Sequence, residues 1–343
     1  MNDRISRRNA LGLVAGAPLA WAATKASAAD RVIDESGFVT IGGIEQWIGI
    51  QGRDARNPAV LYLHGGPAEA QSPFLKEFIP WETDFTVVNW DQRGAGKTFG
   101  RNGASTPGME PPDVALDRMC EDVREVAQYA CRRLKQKKVI LVGQSWGTIL
   151  GLRAARQWPE LFHGFVGTAF FVSWSDTLRS LTNATRAQAT AVHDQATLNA
   201  LDEAATLPET DLKRFGVANR YRWAPADVEY LKIQQEFVGA PPLPAHGDVA
   251  DWVGASGFSI PRLLPLLIGY DARKVGLDIP VPFFVVQGRD DHVTPIDAAE
   301  AFVAEARAPV KRLIPIAGGH FACFTDAAGF VAALRQYVRP IVR

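Results

Sequence analysis

Three cysteines in 343 residues are too few for a disulfide scaffold. Cys120 and Cys131 fall in one predicted helix, which would hold them ~16 Å apart along its axis and prevent pairing. Free, buried thiols are therefore expected for both, and for Cys323. Charge of one sign is missing too. The 37 basic and 37 acidic side chains leave a formal net charge of zero, so nothing favours nucleic acid or an anionic membrane surface as a partner. No H-x-E, H-E-x-x-H or paired-cysteine spacing occurs, so no metal site is expected. Two cofactor motifs are approached and missed. Gly94-Ala95-Gly96-Lys97-Thr98 has the tail of a phosphate-binding loop, but Asp91 stands where the leading glycine belongs. Phe99 occupies the third glycine of a dinucleotide fingerprint, and no cofactor is expected. Internal repeats and low-complexity tracts are absent.

No hydrophobic run at the start of the chain is long enough to span a bilayer. The apolar stretch 10–23 is short and contains Gly12, Gly16 and Pro18. It follows a basic segment with Arg4, Arg7 and Arg8 and precedes the small-residue site Ala26-Ser27-Ala28. Ser6-Arg7-Arg8-Asn9-Ala10-Leu11 resembles the bacterial twin-arginine export signal, and Lys25 fits that route. Residues 1–28 thus read as a signal peptide, with a mature chain from about Ala29, periplasmic or secreted and without a stable membrane anchor.

What remains, at 47% hydrophobic residues, is long enough for one large α/β domain with an insertion. Residues 38–41 and 44–48 flank Gly42-Gly43 as an expected hairpin. The continuous apolar runs 59–63 and 85–90 read as strands buried on both faces, and 114–136 as an amphipathic helix. Strand, helix and strand follow over 139–169. The alternation predicts a mostly parallel sheet with helices on both faces. It breaks at 172–271, a helix-prone insertion with proline clusters at 240–244 and 261–265 that reads as a helical cap. It resumes with a strand near 282–286, a helix from about Pro295, a strand at 311–316 and a terminal helix over 325–338. The core is thus expected to be 29–171 with 272–343.

The chemistry centres on Val139 to Leu150, where Ser145 stands between Gly143 and Gly147 in the G-x-S-x-G spacing of a nucleophile elbow. Lifting a serine above a buried strand demands a sharp, strained turn with little room for flanking side chains. Serine needs a base, and the base an orienting carboxylate. Such groups emerge from loops at the carboxyl ends of parallel strands. Of six histidines, His64 belongs to a glycine loop and suits a structural role. His163 starts a strand, His193 and His246 fall in the cap, and His292 precedes the last strand. His320, after Gly318-Gly319 on a post-strand loop, is the candidate base. Asp290 and Asp291 both suit the acid by spacing. The amides of Trp146 and of Gly66, in His64-Gly65-Gly66-Pro67, are the candidate oxyanion donors. The order Ser, Asp, His is that of the α/β hydrolases.

Four blocks together resemble the proline iminopeptidase group of α/β hydrolases: His64-Gly65-Gly66-Pro67, Asp91-Gln92-Arg93-Gly94-x-Gly96, Gly143-x-Ser145-Trp146-Gly147 and Gly288-Arg289-x-Asp291-x-x-x-Pro295. The resemblance implies an α/β-hydrolase fold, a triad of Ser145, His320 and Asp291, and oxyanion donors from the glycine loop and Trp146. The chain also departs from the group: Ala68 follows Pro67 where glycine is usual, and Lys97-Thr98 replace an arginine-serine pair. The group's cap segment Ile-Glu-x-His-Tyr-Phe is not matched; Ile233-Gln234-Gln235-Glu236-Phe237 is nearest.

The expected activity is hydrolysis of small peptides or amides from a free amino end. Its substrate amine would need a carboxylate, because burying an unpaired ammonium is costly. Glu229 and Glu236, two helical turns apart with Ile233 between them, are the cap candidates. Hydrolysis of small esters or lactones is the competing expectation, and a catalytically silent binding protein the one outside enzymology. Dehalogenase and epoxide-hydrolase chemistry is disfavoured, because those enzymes carry aspartate at the elbow.

Overall fold

The computed structural model describes residues 31–109, 114–239 and 248–342. The expected signal peptide, the proline cluster 240–244 and His246 lie outside the described residues. Eight strands form one sheet: β1 (Ile33–Ile41), β2 (Ile44–Gly52), β3 (Ala59–Leu63), β4 (Thr86–Trp90), β5 (Val139–Gln144), β6 (Phe162–Thr168), β7 (Phe283–Gly288) and β8 (Lys311–Ile316). Their order is β1-β2-β4-β3-β5-β6-β7-β8. The β1–β2 and β2–β4 pairs are antiparallel and all others parallel. The expected hairpin is present but longer, with nine residues in each strand.

From β3 the chain moves outward to β4, then returns to the other side of β3 as β5. That reversal is a switch point, where the loops leaving β3 and β5 diverge and open a crevice at the carboxyl end of the sheet. Leu63 pairs with Gly143, so those two loops start side by side.

Strands β3, β4, β5 and β7 are buried along their whole length and largely apolar because both sheet faces are covered. Leu61, Leu63, Val139, Leu141 and Val285 pack on one face, against α2 (Leu116–Leu134) and α3 (Trp146–Gln157), which follow α1 (Gly96–Asn102). Val60, Tyr62, Ile140, Val142 and Val286 pack on the other, with Trp81, Phe324, Phe330 and Val338.

Between β6 and β7 lie α4 (Trp174–Ala191), α5 (Gln195–Ala204), α6 (Leu212–Ala218), α7 (Pro225–Gly239), α8 (Asp248–Ile268) and the short α9 (Ala272–Val275). Ser173, Asp194 and Asp211 cap α4, α5 and α6, each accepting from a backbone N–H of the first turn. Backbone pairing of Ser173 with Asp271 closes the base of the insertion. Pro261 and Pro265 lie inside α8. After β7 come α10 (Ile296–Glu305), α11 (Ala322–Thr325) and α12 (Ala327–Ala333).

The stretch with the tail of a phosphate loop forms the start of α1, where Asp91 takes the Lys97 N–H at 2.9 Å and the Ser72 hydroxyl at 2.6 Å. Burial pushes the Asp91 carboxyl up to about 6. Two local expectations are corrected. The terminal helix begins at Ala327 rather than Thr325 and continues as a π turn over Leu334–Val338, because Asp326 has a non-helical backbone and its carboxylate caps α12 through Gly329. Cys120 and Cys323 are buried, but Cys131 is only half-buried; all three are free thiols.

Candidate active site

Ser145 sits between β5 and α3 with φ 51° and ψ −117°, the strained turn that the elbow requires. Its flanking glycines leave no choice of residue. A Cβ on Gly143 would lie 2.5 Å from the Gly147 carbonyl oxygen, and one on Gly147 would lie 2.1 Å from that of Leu63. The turn is anchored by the Ser145 N–H, which donates to Thr168 O at 3.1 Å. The Thr148 hydroxyl donates to Ser145 O at 2.6 Å.

His320 follows β8, and its Nε2 lies 3.0 Å from Ser145 Oγ. Its Nδ1 lies 3.1 Å from both carboxylate oxygens of Asp291, so Nδ1 carries the proton and Nε2 is free to accept the serine O–H. Asp291 is itself held on the loop after β7. It accepts from the N–H groups of Val293 and Thr294 at 2.9 and 2.8 Å, from the Thr294 hydroxyl at 2.5 Å and from Gln287 Nε2 at 3.0 Å. All three side chains are buried. Burial alone would lower the His320 pKa; the Asp291 charge and hydrogen bond, with the charges of Asp227 and Glu69, raise it above the ordinary value. Asp290 is exposed, and among the described residues only its backbone N–H is hydrogen-bonded, to Gly318 O at 3.0 Å.

The loop after β3 brings Gly66 against the elbow. Gly66 and Trp146, the first residue of α3, line the same cavity as Ser145 and His320. One buried network joins the three loops. His64 Nδ1 donates to Gly65 O at 2.9 Å, and its Nε2 accepts from Gln92 N at 3.1 Å. Gln92 donates to His64 O at 3.0 Å and accepts from the Trp146 indole at 3.1 Å. Burial lowers the His64 pKa to about 4, so this ring is neutral and structural. Arg93 extends the frame, with a fully buried ion pair to Asp122 at 2.8 Å.

The cap closes over this floor and leaves a cavity of about 390 Å³, in the range of small-molecule sites. Trp174, Phe215, Trp223, Trp252 and Leu267 give it an apolar wall. Glu69 and Arg222 are its charged members. The Trp252 indole donates to Ala70 O at 3.3 Å and the Ser259 hydroxyl to Gly94 O at 2.7 Å, tying α8 to the core. Asp227 on α7 ties down the histidine loop, accepting from the His320 N–H at 2.8 Å and the Phe321 N–H at 3.0 Å.

Residues 58–327 match the sequence profile of the α/β-hydrolase fold family. The chain belongs to that family. This hydrolase is 25% identical over 295 residues to the probable aminopeptidase YbaC of Bacillus subtilis, covering 80% of the present chain and 86% of that protein. It is 32% identical over 140 residues to a proline iminopeptidase of Neisseria meningitidis, 40% of each chain. Its fold is similar to that of a proline iminopeptidase-related protein from Thermus thermophilus, with TM-score 0.64, 21% identity, and 90% and 99% of the two chains covered. The two sequence relatives support a proline iminopeptidase-like grouping within that family.

Within this hydrolase, Ser145, His320 and Asp291 come together, with Gly66 and Trp146 beside them. Glu229 and Glu236 do not join them. Both are exposed on the outer face of α7, and Glu229 pairs with Lys232 at 2.6 Å. Their expected role as holders of a substrate amine is corrected. Ile233, which lies between them, is itself 43% exposed, while Asp227 and Gln234 are buried. Sequence reading missed Asp227, Glu69 and Arg222. The one local signal was Glu69, an acidic residue directly beyond the glycine loop where Ala68 breaks the group's pattern. No cluster of three or more metal-ligating side chains occurs among the described residues.

Proposed function

We propose that this chain is a serine hydrolase that releases the N-terminal residue of small peptides or amides through an acyl-enzyme. The reading is carried by one arrangement: Ser145 Oγ within 3.0 Å of His320 Nε2 while Asp291 holds His320 Nδ1 at 3.1 Å, at the mouth of the switch-point crevice. The name of the Bacillus subtilis relative supports an aminopeptidase over other hydrolases of this fold. Ser145 passes its proton to His320 as its oxygen attacks the substrate carbonyl. Negative charge develops on the carbonyl oxygen, and the N–H groups of Gly66 and Trp146 receive it. His320 then protonates the leaving amine, and water enters along the same path to release the acyl group. We also propose export, on the strength of the twin-arginine-like segment that begins at Ser6.

The largely aromatic wall of the cavity favours a second reading, hydrolysis of small esters. A panel of aminoacyl anilides, their N-acetyl counterparts and short-chain nitrophenyl esters separates the two. The aminopeptidase reading expects anilides with a free amine to be cleaved and the blocked ones spared. Cleavage of esters alone would overturn it in favour of the second.

A further inference from the structure

Two opposite charges face the cavity without neutralising each other. Glu69 is half-buried beside the oxyanion loop: its Cγ lies 3.3 Å from the point that a Cβ on Gly66 would occupy. Its carboxylate has neither a hydrogen bond nor an ion pair among the described residues, although the charges of His320 and Arg222 act on it. Arg222, also half-buried, lies just before α7 and stacks its guanidinium 4.3 Å above the Trp223 ring; it has no hydrogen-bonded or ion-paired carboxylate among the described residues, although the Glu69 charge acts on it. Trp223 in turn lies against the His320 ring at 6.0 Å.

Holding a carboxylate and a guanidinium in an aromatic-walled cavity, each without a bonded partner, costs free energy that a ligand of matching charges recovers. We infer that Glu69 and Arg222 form a charge-reading subsite that selects short zwitterionic peptides, with Glu69 taking the α-ammonium group and Arg222 the carboxylate on the leaving side. The inference rests on the aminopeptidase reading and names its substrate class.

The chemistry of the substrate sets the positions. In an aminoacyl compound the ammonium nitrogen is two bonds from the carbonyl carbon that Ser145 attacks. With the carbonyl oxygen between the Gly66 and Trp146 amides, the ammonium must rest near the oxyanion loop, where Glu69 is. The outward-facing glutamates of α7 cannot reach it. The leaving amine must meet His320 Nε2, and Arg222 is linked to that histidine through Trp223, on which it stacks and whose ring is 6.0 Å from the His320 ring. A guanidinium suits a carboxylate there because its planar fork can bind both oxygens.

The test uses Glu69→Gln and Arg222→Gln in the full chain. For Glu69→Gln, the kcat/KM of an aminoacyl anilide should fall at least ten-fold relative to that of a nitrophenyl ester. For Arg222→Gln, the kcat/KM of a dipeptide should fall about ten-fold relative to that of the same dipeptide with its carboxyl end amidated. An unchanged ratio in either variant overturns the role of that residue. Equal loss on all substrates would make Glu69 a support of the oxyanion loop and overturn its role in selection. A separate readout covers failure of the peptidase reading itself. If the wild type cleaves esters but no free-amine substrate, protection of Ser145 from a fluorophosphonate probe by a dipeptide still tests the subsite. Protection lost in Glu69→Gln supports it, and absence of protection in the wild type overturns it.

Discussion

Asp227 and His320, 93 positions apart, are joined by a single 2.8 Å hydrogen bond from the histidine backbone N–H to the aspartate carboxylate. The other oxygen of Asp227 takes the Phe321 N–H at 3.0 Å. Gly319 leaves room for the contact, since a Cβ there would meet Asp227 Oδ2 at 2.1 Å. The cap therefore does more than cover the cavity. Through α7 it holds the loop that carries the proposed base, so cap docking and histidine placement are one event.

Asp227 should act as a positioning residue with an electrostatic signature. Neutral His320 is the active form of the base, so activity is present above its pKa and lost as pH falls through it. Asp291 first, then Asp227 and Glu69, favour the protonated ring, and the acid limb of kcat/KM is expected above the ordinary histidine value of 6.5. Asp227→Asn should move that limb to lower pH and reduce kcat on ester and anilide alike, by about ten-fold. A pH profile superimposable on the wild type would make the contact purely structural.

Ser145→Ala should lower turnover by about 10⁴-fold or more and abolish labelling by a fluorophosphonate. The fold should survive, because the serine side chain donates only to His320 while the turn is held by its backbone. Hydrolysis retained in a verified variant would remove Ser145 from the mechanism.

Asp291→Asn should cost far more than Asp290→Asn. Asp291 accepts the Nδ1 proton of His320, and an amide there favours the wrong imidazole tautomer, a change worth about 10⁴-fold in a serine protease. Asp290 is exposed and has no contact with His320. Steady-state kinetics on one ester decides the matter, and a larger loss from the Asp290 change would reverse the assignment.

His64 should make the fold acid-sensitive. Its folded pKa is depressed to about 4 from 6.5, so its contribution to stability is present above 6.5 and is lost as pH falls toward 4. The window corresponds to about 3 kcal/mol. Denaturant unfolding at a series of pH values should show a steeper acid loss for the wild type than for His64→Asn. Parallel curves would place the acid sensitivity elsewhere.

What the sequence determined by itself was everything governed by local backbone demands. A serine lifted between β5 and α3 needs glycines on both sides, so Gly143 and Gly147 are written into the chain. Strands covered on both faces must be largely apolar, which made β3 to β7 legible. The choice between Asp290 and Asp291 was different: spacing left both open, the Gly288-Arg289-x-Asp291 block pointed to Asp291, and the fold brings that carboxylate to His320 Nδ1. The cap was least legible. Asp227 and Glu229 are two residues apart on α7, about 200° around the helix axis, so one is buried and the other solvated. Which of them faces the site depends on how α7 docks onto the β8 loop, a contact made across 93 residues that no local pattern encodes. Glu69 and Arg222 likewise meet in one cavity only because the cap closes over the switch point of the sheet.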